Sequence, residues 1–254
     1  MKARATRSRP TAPLTQPARA AAVLLAAGRG RRMAGAVEDK VLATLAGKPV
    51  LTWSLEAFHA AAIADTYVIV YRDAAQRAHL VSLVEATPIG AARVLWVRGG
   101  AERQDSVLRA LEALPRDVAR VFIHDCARPL VHPASLRMLS EALARDGAAC
   151  LAQRVTDTIK RLPDDASGVV RQRWRTLDRT RLWAMQTPQA FDRALITHAY
   201  RSVHRRRLVV TDDAAAVEVA TRRGVTLVEN PHPNPKLTTA ADLGWAEFLL
   251  KRRT

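Results

Sequence analysis

Two glycines and four cations lie close together near the start of this chain. Gly28, Arg29, Gly30, Arg31 and Arg32 follow the apolar segment 21–27, and Lys40 comes shortly after. Glycine lets backbone N–H groups approach an anion, and guanidinium and ammonium groups neutralise it. A buried strand opening into such a turn makes a phosphate cradle, which points to nucleotide chemistry. Two familiar phosphate loops are absent. Met33 stands where GxxxxGK[ST] and GxGxxG both need a glycine. The glycine spacing alone equally suits an ordinary strand–helix turn, and the four cations favour the phosphate reading.

The elements that must position this cradle follow from hydrophobic periodicity. Residues 23–26, 67–70, 94–97, 121–123 and 148–152 are short apolar runs that read as buried strands. Between them, the stretch from Val50 to Phe58 and residues 74–85, 102–114 and 133–145 read as helices. This alternation predicts an α/β fold, a mainly parallel sheet covered by helices on both faces. Such sheets place ligands at the carboxyl ends of their strands. Segments 28–40, 99–106 and 125–128 all follow predicted strands and are expected to converge on one rim. The rhythm breaks over 154–178, a polar stretch with Pro163, Asp164, Asp165, Ser167 and Gly168 at its centre. It reads as a protruding hairpin arm with its turn at 163–168, and as a dimerisation element because an arm cannot bury its apolar face alone. The rhythm resumes at Leu182 and ends in a helix over 239–251.

Composition narrows the class. The formal charge is +16, with 40 Lys and Arg against 24 Asp and Glu, so polyanionic partners are expected. Aromatics make up only 5% and the basic residues are spread along the chain, which argues against nucleic-acid binding as the main role. No run is long enough to span a membrane, and the chain reads as soluble and cytoplasmic. Cys126 and Cys150 are the only cysteines and read as buried thiols of a reducing compartment; the histidines form no zinc motif. Residues 1–20 carry five basic side chains, three prolines and no acidic residue. They read as a disordered basic tail, with a composition that overlaps organelle transit peptides. Residues 21–254 then form one domain.

Seven motifs occur in order: AAVLLAAGRGRRM with Lys40, GGAERQDSV, HDCARP, VTDTIKR, QTPQAF, TDDAA and NPKLTT. Together they resemble the cytidylyltransferase family of non-mevalonate isoprenoid synthesis, over about residues 20 to 250. Ribitol-5-phosphate cytidylyltransferases share most of these loop signatures and stay open as an alternative at this point, as does a non-catalytic basic relative that binds nucleic acid. The resemblance implies a Rossmann-like nucleotidyltransferase fold and attack of a sugar-alcohol phosphate, 2-C-methyl-D-erythritol 4-phosphate, on the α-phosphorus of CTP. Pyrophosphate leaves, with Mg²⁺ present. Catalysis then rests on alignment and charge neutralisation.

The resemblance also implies residue roles. Arg32 and Lys40 flank the CTP phosphates, and Ala26, Ala27 and Gly28 give close backbone approach. Gly100 and Ser106 hold cytosine and ribose, and Arg103 can face the same side as Ser106. Asp125 lies near the nucleotide and contacts the metal. Arg128 lies on the methylerythritol side, reached from the partner subunit. Arg179 and Lys236 position the substrate phosphate as nucleophile, and Thr158 and Thr187 supply hydroxyls near it. Because Thr158 lies on the arm, a homodimer with shared sites is implied. The chain departs from the family pattern at Asp39, Ala101, Cys126 and Pro235.

Overall fold

The computed structural model describes residues 19–28, 39–162 and 173–253. Arg32, most of the cradle, residues 1–18 and the turn at 163–168 lie outside the described residues. The chain begins with β1 (Arg19–Leu25), followed by a small hairpin of β2 (Thr44–Leu45) and β3 (Lys48–Pro49). Then come α1 (Val50–Ala61), β4 (Thr66–Tyr71), α2 (Ala74–Glu85), β5 (Arg93–Arg98), α3 (Arg103–Ala113), β6 (Val118–Asp125), α4 (Pro133–Asp146) and β7 (Ala148–Arg154). The arm carries β8 (Lys160–Arg161) and β9 (Arg175–Thr176). The chain returns through β10 (Trp183–Asp192), α5 (Arg193–Arg205), α6 (Asp213–Thr221), β11 (Thr226–Glu229) and α7 (Ala241–Lys251).

Seven strands form one sheet in the order β11-β7-β10-β6-β1-β4-β5. All neighbours pair in parallel except β10, which runs antiparallel to both β6 and β7. The mainly parallel α/β reading therefore holds, with one reversed strand. That reversal follows from the arm: the chain leaves β7, turns back through the hairpin and re-enters the sheet beside the strand it left.

β1 shows why its sequence is a continuous apolar run. Ala20, Ala22 and Leu24 enter a core with α1, α2 and α4, while Ala21 and Val23 enter a second core with α3, α5 and α6. A strand covered on both faces has no polar face to alternate with. β1 begins at Arg19, inside the stretch read as tail; Arg19 is exposed there and pairs with Asp117 at 2.8 Å. A third cluster joins Leu45, Val50, Leu130, Leu237, Ala246 and Leu250, and packs α7 against the segment that carries Lys236.

The arm has the expected antiparallel base, with Lys160 opposite Thr176 and Arg161 opposite Arg175. Both of its strands are exposed. Among the described residues, no helix is long and apolar enough to cross a membrane.

Candidate functional site

The predicted convergence at the strand ends is present. β1 and β6 end side by side, with Leu25 in register with Asp125. Ala26 N–H donates to the Val70 carbonyl at 2.9 Å, and Gly99 N–H to the Tyr71 carbonyl at 2.8 Å. The loops after β1 and β5 touch so closely that a Cβ on Gly99 would lie 2.8 Å from the Ala27 Cβ. A Cβ on Gly100 would lie 2.3 Å from that of Asp105. These two positions require glycine for close approach.

Ser106 organises this loop. Its hydroxyl accepts from Gly100 N–H at 2.9 Å and donates to the Glu102 carbonyl at 3.1 Å. Glu102 and Asp105 form a reciprocal capping box at the start of α3, which fixes the direction in which Arg103 leaves the helix. Ala26 is buried and its carbonyl accepts from Gln76, while Gly28 is exposed with open space around it.

Asp125 is the centre of charge. Its two oxygens take Arg103 Nε at 3.1 Å and Lys236 Nζ at 2.6 Å. Burial by itself raises the Asp125 pKa, but Arg103 and Lys236 outweigh it and hold the carboxyl well below the usual carboxylate range. Lys236 reaches it because its neighbour Leu237 is sunk in the third core cluster and donates its N–H to Ala127 at 2.8 Å. Lys40 donates to the Leu237 carbonyl at 2.8 Å, so the two predicted catalytic lysines arise beside one short segment.

Asp39 turns from a departure into a support. One of its oxygens accepts from Val41 N–H at 3.1 Å, and the other takes Gln76 at 2.7 Å and Arg72 at 3.1 Å. This anchors the turn that presents Lys40.

Beneath Asp125 lies a buried polar relay. Thr187 Oγ1 accepts from Asp125 N–H at 3.0 Å and meets His124 Nδ1 at 3.2 Å. His124 Nε2 lies 3.2 Å from both the Arg128 carbonyl and Ser54 Oγ. The carbonyl needs a donor, so we assign the proton to Nε2, and Nδ1 accepts from Thr187. Burial pushes the His124 pKa down to about 4, which keeps the ring neutral. Thr187 thus acts from below the site, through the backbone of Asp125.

Arg128 lies beside this cluster, where its guanidinium donates to the Asn234 carbonyl at 2.7 Å. The turn that follows β6 places it there, since Arg128 N–H donates to the Asp125 carbonyl at 2.9 Å.

Thr158 and Arg179 are not brought into this cluster. Both are exposed on the arm, and Arg179 donates to the Thr156 carbonyl at 2.6 Å. Cys126 and Cys150 are buried, and burial pushes both thiols up, which disfavours the nucleophilic thiolate.

Sequence reasoning missed Gln76, Arg72, Asn234 and Asp213. Asp213 and Asn234 carried a signal, as the second acid of TDDAA and the first residue of NPKLTT. Arg72 and Gln76 act on Asp39 from far along the chain, Gln76 from 37 positions away, beyond any local pattern.

Comparisons with known proteins agree with this fold. The family model described as 2-C-methyl-D-erythritol 4-phosphate cytidylyltransferase matches residues 20–252. A relative of that name from a Synechococcus species is 40% identical over 228 residues, covering 90% of this chain and 94% of the relative. Another of that name, from Shouchella clausii, is 41% identical over 233 residues, covering 92% and 97%. The solved structure of 4-diphosphocytidyl-2C-methyl-D-erythritol synthase from Anaerococcus prevotii superposes with a TM-score of 0.79 at 27% identity, covering 92% of this chain and 99% of that one. By sequence and by fold, this chain belongs to the 2-C-methyl-D-erythritol 4-phosphate cytidylyltransferase family.

Proposed function

We infer that this chain transfers a cytidylyl group from CTP to 2-C-methyl-D-erythritol 4-phosphate, releasing pyrophosphate, in isoprenoid synthesis. The observation that carries the reading is the Asp125 cluster. A carboxylate held ionised by Arg103 and Lys236 stands at the strand ends, beside the segment to which Lys40 is tethered.

In this reading, an oxygen of the acceptor phosphate forms a bond to the α-phosphorus as the bond to pyrophosphate breaks. Both reactants are anions, so the protein must offset their repulsion and hold them in line. Lys40 faces the nucleotide phosphates, a role that the family resemblance gives to Arg32 as well, and Lys236 meets the acceptor phosphate. The loop of Gly99, Gly100 and Ser106 receives the nucleoside, and Arg128 and Thr187 shape the acceptor side.

Mg²⁺ belongs to the proposal. Among the described residues no group of three or more His, Cys, Asp or Glu side chains could hold a metal ion. Asp125 offers one hard, ionised donor whose oxygens keep further lone pairs, and this fits an ion that takes its other ligands from phosphate and water. When bound, the ion supplies charge neutralisation on the phosphates.

The reading further includes a cytoplasmic homodimer in which the arm serves the partner's site. Arg179 and Thr158 are exposed on the arm, and Leu162 and Trp174 near its described end are 48% and 50% exposed. Such side chains are available to a second copy.

Pyrophosphate release tests the activity. The four nucleoside triphosphates are compared, with methylerythritol phosphate and ribitol 5-phosphate as acceptors. Release confined to CTP with methylerythritol phosphate is expected. Release with ribitol phosphate instead would move the acceptor, and no release with any pair would remove the reading.

A further inference from the structure

Asp213 is fully buried, and its position on α6 does not call for a charge. The capping of that helix is done by its neighbour: Asp212 accepts from Ala215 N–H at 2.9 Å. Both oxygens of Asp213 are instead gripped by Arg103, Nη1 to Oδ1 at 2.9 Å and Nη2 to Oδ2 at 2.8 Å. Tyr200, itself buried on α5, donates its hydroxyl to Oδ1 at 2.5 Å. Burying a carboxylate and a guanidinium together is costly, and apolar residues of similar volume often stabilise as well. The arrangement therefore calls for a purpose beyond stability.

That purpose follows from the shape of the guanidinium. Arginine prefers to meet a carboxylate with two parallel N–H groups. With the end-on fork of Arg103 turned to Asp213, its Nε is the group that meets Asp125, and it contacts Oδ1 alone. Oδ2 remains for Lys236. Without Asp213, Arg103 could turn that fork onto Asp125 and take both oxygens, where it would compete with Lys236 for Oδ2. The pair also balances charge: two cations, Arg103 and Lys236, meet two anions, Asp125 and Asp213.

We propose that Asp213, steadied by Tyr200, is a positioning residue that restricts Arg103 to one oxygen of Asp125 and thereby keeps Lys236 in place for the acceptor phosphate. Asp213 touches no substrate in this scheme and acts through Arg103. The proposal rests on the cytidylyltransferase reading above.

The experiment is a cycle of variants assayed by pyrophosphate release from CTP and methylerythritol phosphate. Asp213→Asn keeps the shape and removes the charge. Its kcat is expected to fall about tenfold or more, with the KM for CTP changed far less. Tyr200→Phe, which leaves every charge in place, is expected to lose about threefold in kcat, and it serves if Asp213→Asn does not fold. The deciding comparison is made in a Lys236→Ala background. If Asp213 and Tyr200 act by placing Lys236, each substitution there costs little beyond what Lys236→Ala has already cost. Equal losses in both backgrounds, or loss of melting temperature with unchanged kcat, would overturn the proposal in favour of a merely structural pair. A wild-type enzyme that releases no pyrophosphate would overturn the functional reading first, and this proposal with it.

Discussion

The rim at the ends of β1 and β6 and the arm of β8 and β9 carry predicted site residues in opposite ways. At the rim, the Lys236–Asp125 pair and the Arg103–Asp213 fork join positions 111 and 110 apart in sequence. These bonds hold each side chain before substrate arrives. On the arm, the strands are two residues each, and Thr158 and Arg179 are exposed. The difference teaches that one region is pre-organised by its own chain, while the other leaves its predicted site residues exposed. Preorganised charge lowers a barrier because it needs no reordering during reaction.

The comparison breaks most visibly at the lysines. Lys236→Ala and Lys40→Ala should each lower kcat by about two to three orders of magnitude with the fold intact by circular dichroism. Near-normal turnover in either variant would remove that lysine from the rim's catalytic set.

Subunit mixing tests the other half. If Arg179 serves the partner's site, Arg179→Ala and Lys236→Ala homodimers are both impaired, yet random mixing restores about a quarter of wild-type activity through heterodimers with one intact site. Failure to recover any activity, with exchange verified by mass spectrometry, would place Arg179 in its own chain's site. Deleting residues 155–178 should give inactive monomers by light scattering.

The relay beneath the rim predicts a pH dependence. The His124 pKa falls to about 4 in the folded state, below the ordinary 6.5. Unfolded chains take up the proton first as pH drops, so stability is full above about pH 6.5 and declines toward pH 4. The loss from this group is about 3 kcal/mol over that window. Urea melts at several pH values, with a His124→Asn variant for comparison, would read it. An undiminished slope in the variant would exclude His124 as its source. The arm holds no histidine among its described residues and contributes nothing of this kind.

Gly100→Ala sets the smallest effect. Its Cβ would overlap the Cβ of Asp105, so the loop must shift, at about 1–3 kcal/mol. Weaker CTP binding with near-normal arm-dependent dimerisation is expected, measured by calorimetry and light scattering.

Much of this contrast was legible early. The strands 67–70 and 94–97 and the helix 74–85 were readable because apolar runs and helical periodicity are local properties. Asp125 and Lys236 stood in motifs whose resemblance named a role. Gln76 was silent because its partner, Asp39, lies far away in sequence, and the TDDAA motif did not tell that Asp213 meets Arg103. Asp39 itself looked like a departure, and only the position of Gln76 and Arg72 turns it into the anchor of Lys40.

By itself, the sequence determined the alternation of strands and helices, the rim at the strand ends, the hairpin at 154–178 and the family, because each depends on local periodicity or on ordered short motifs. Only the tertiary structure decided the reversed β10, the Arg128–Asn234 contact, and the Tyr200–Asp213–Arg103–Asp125–Lys236 chain of bonds. Those depend on which distant residues meet when two apolar cores close on the faces of one sheet, and no local pattern encodes that meeting.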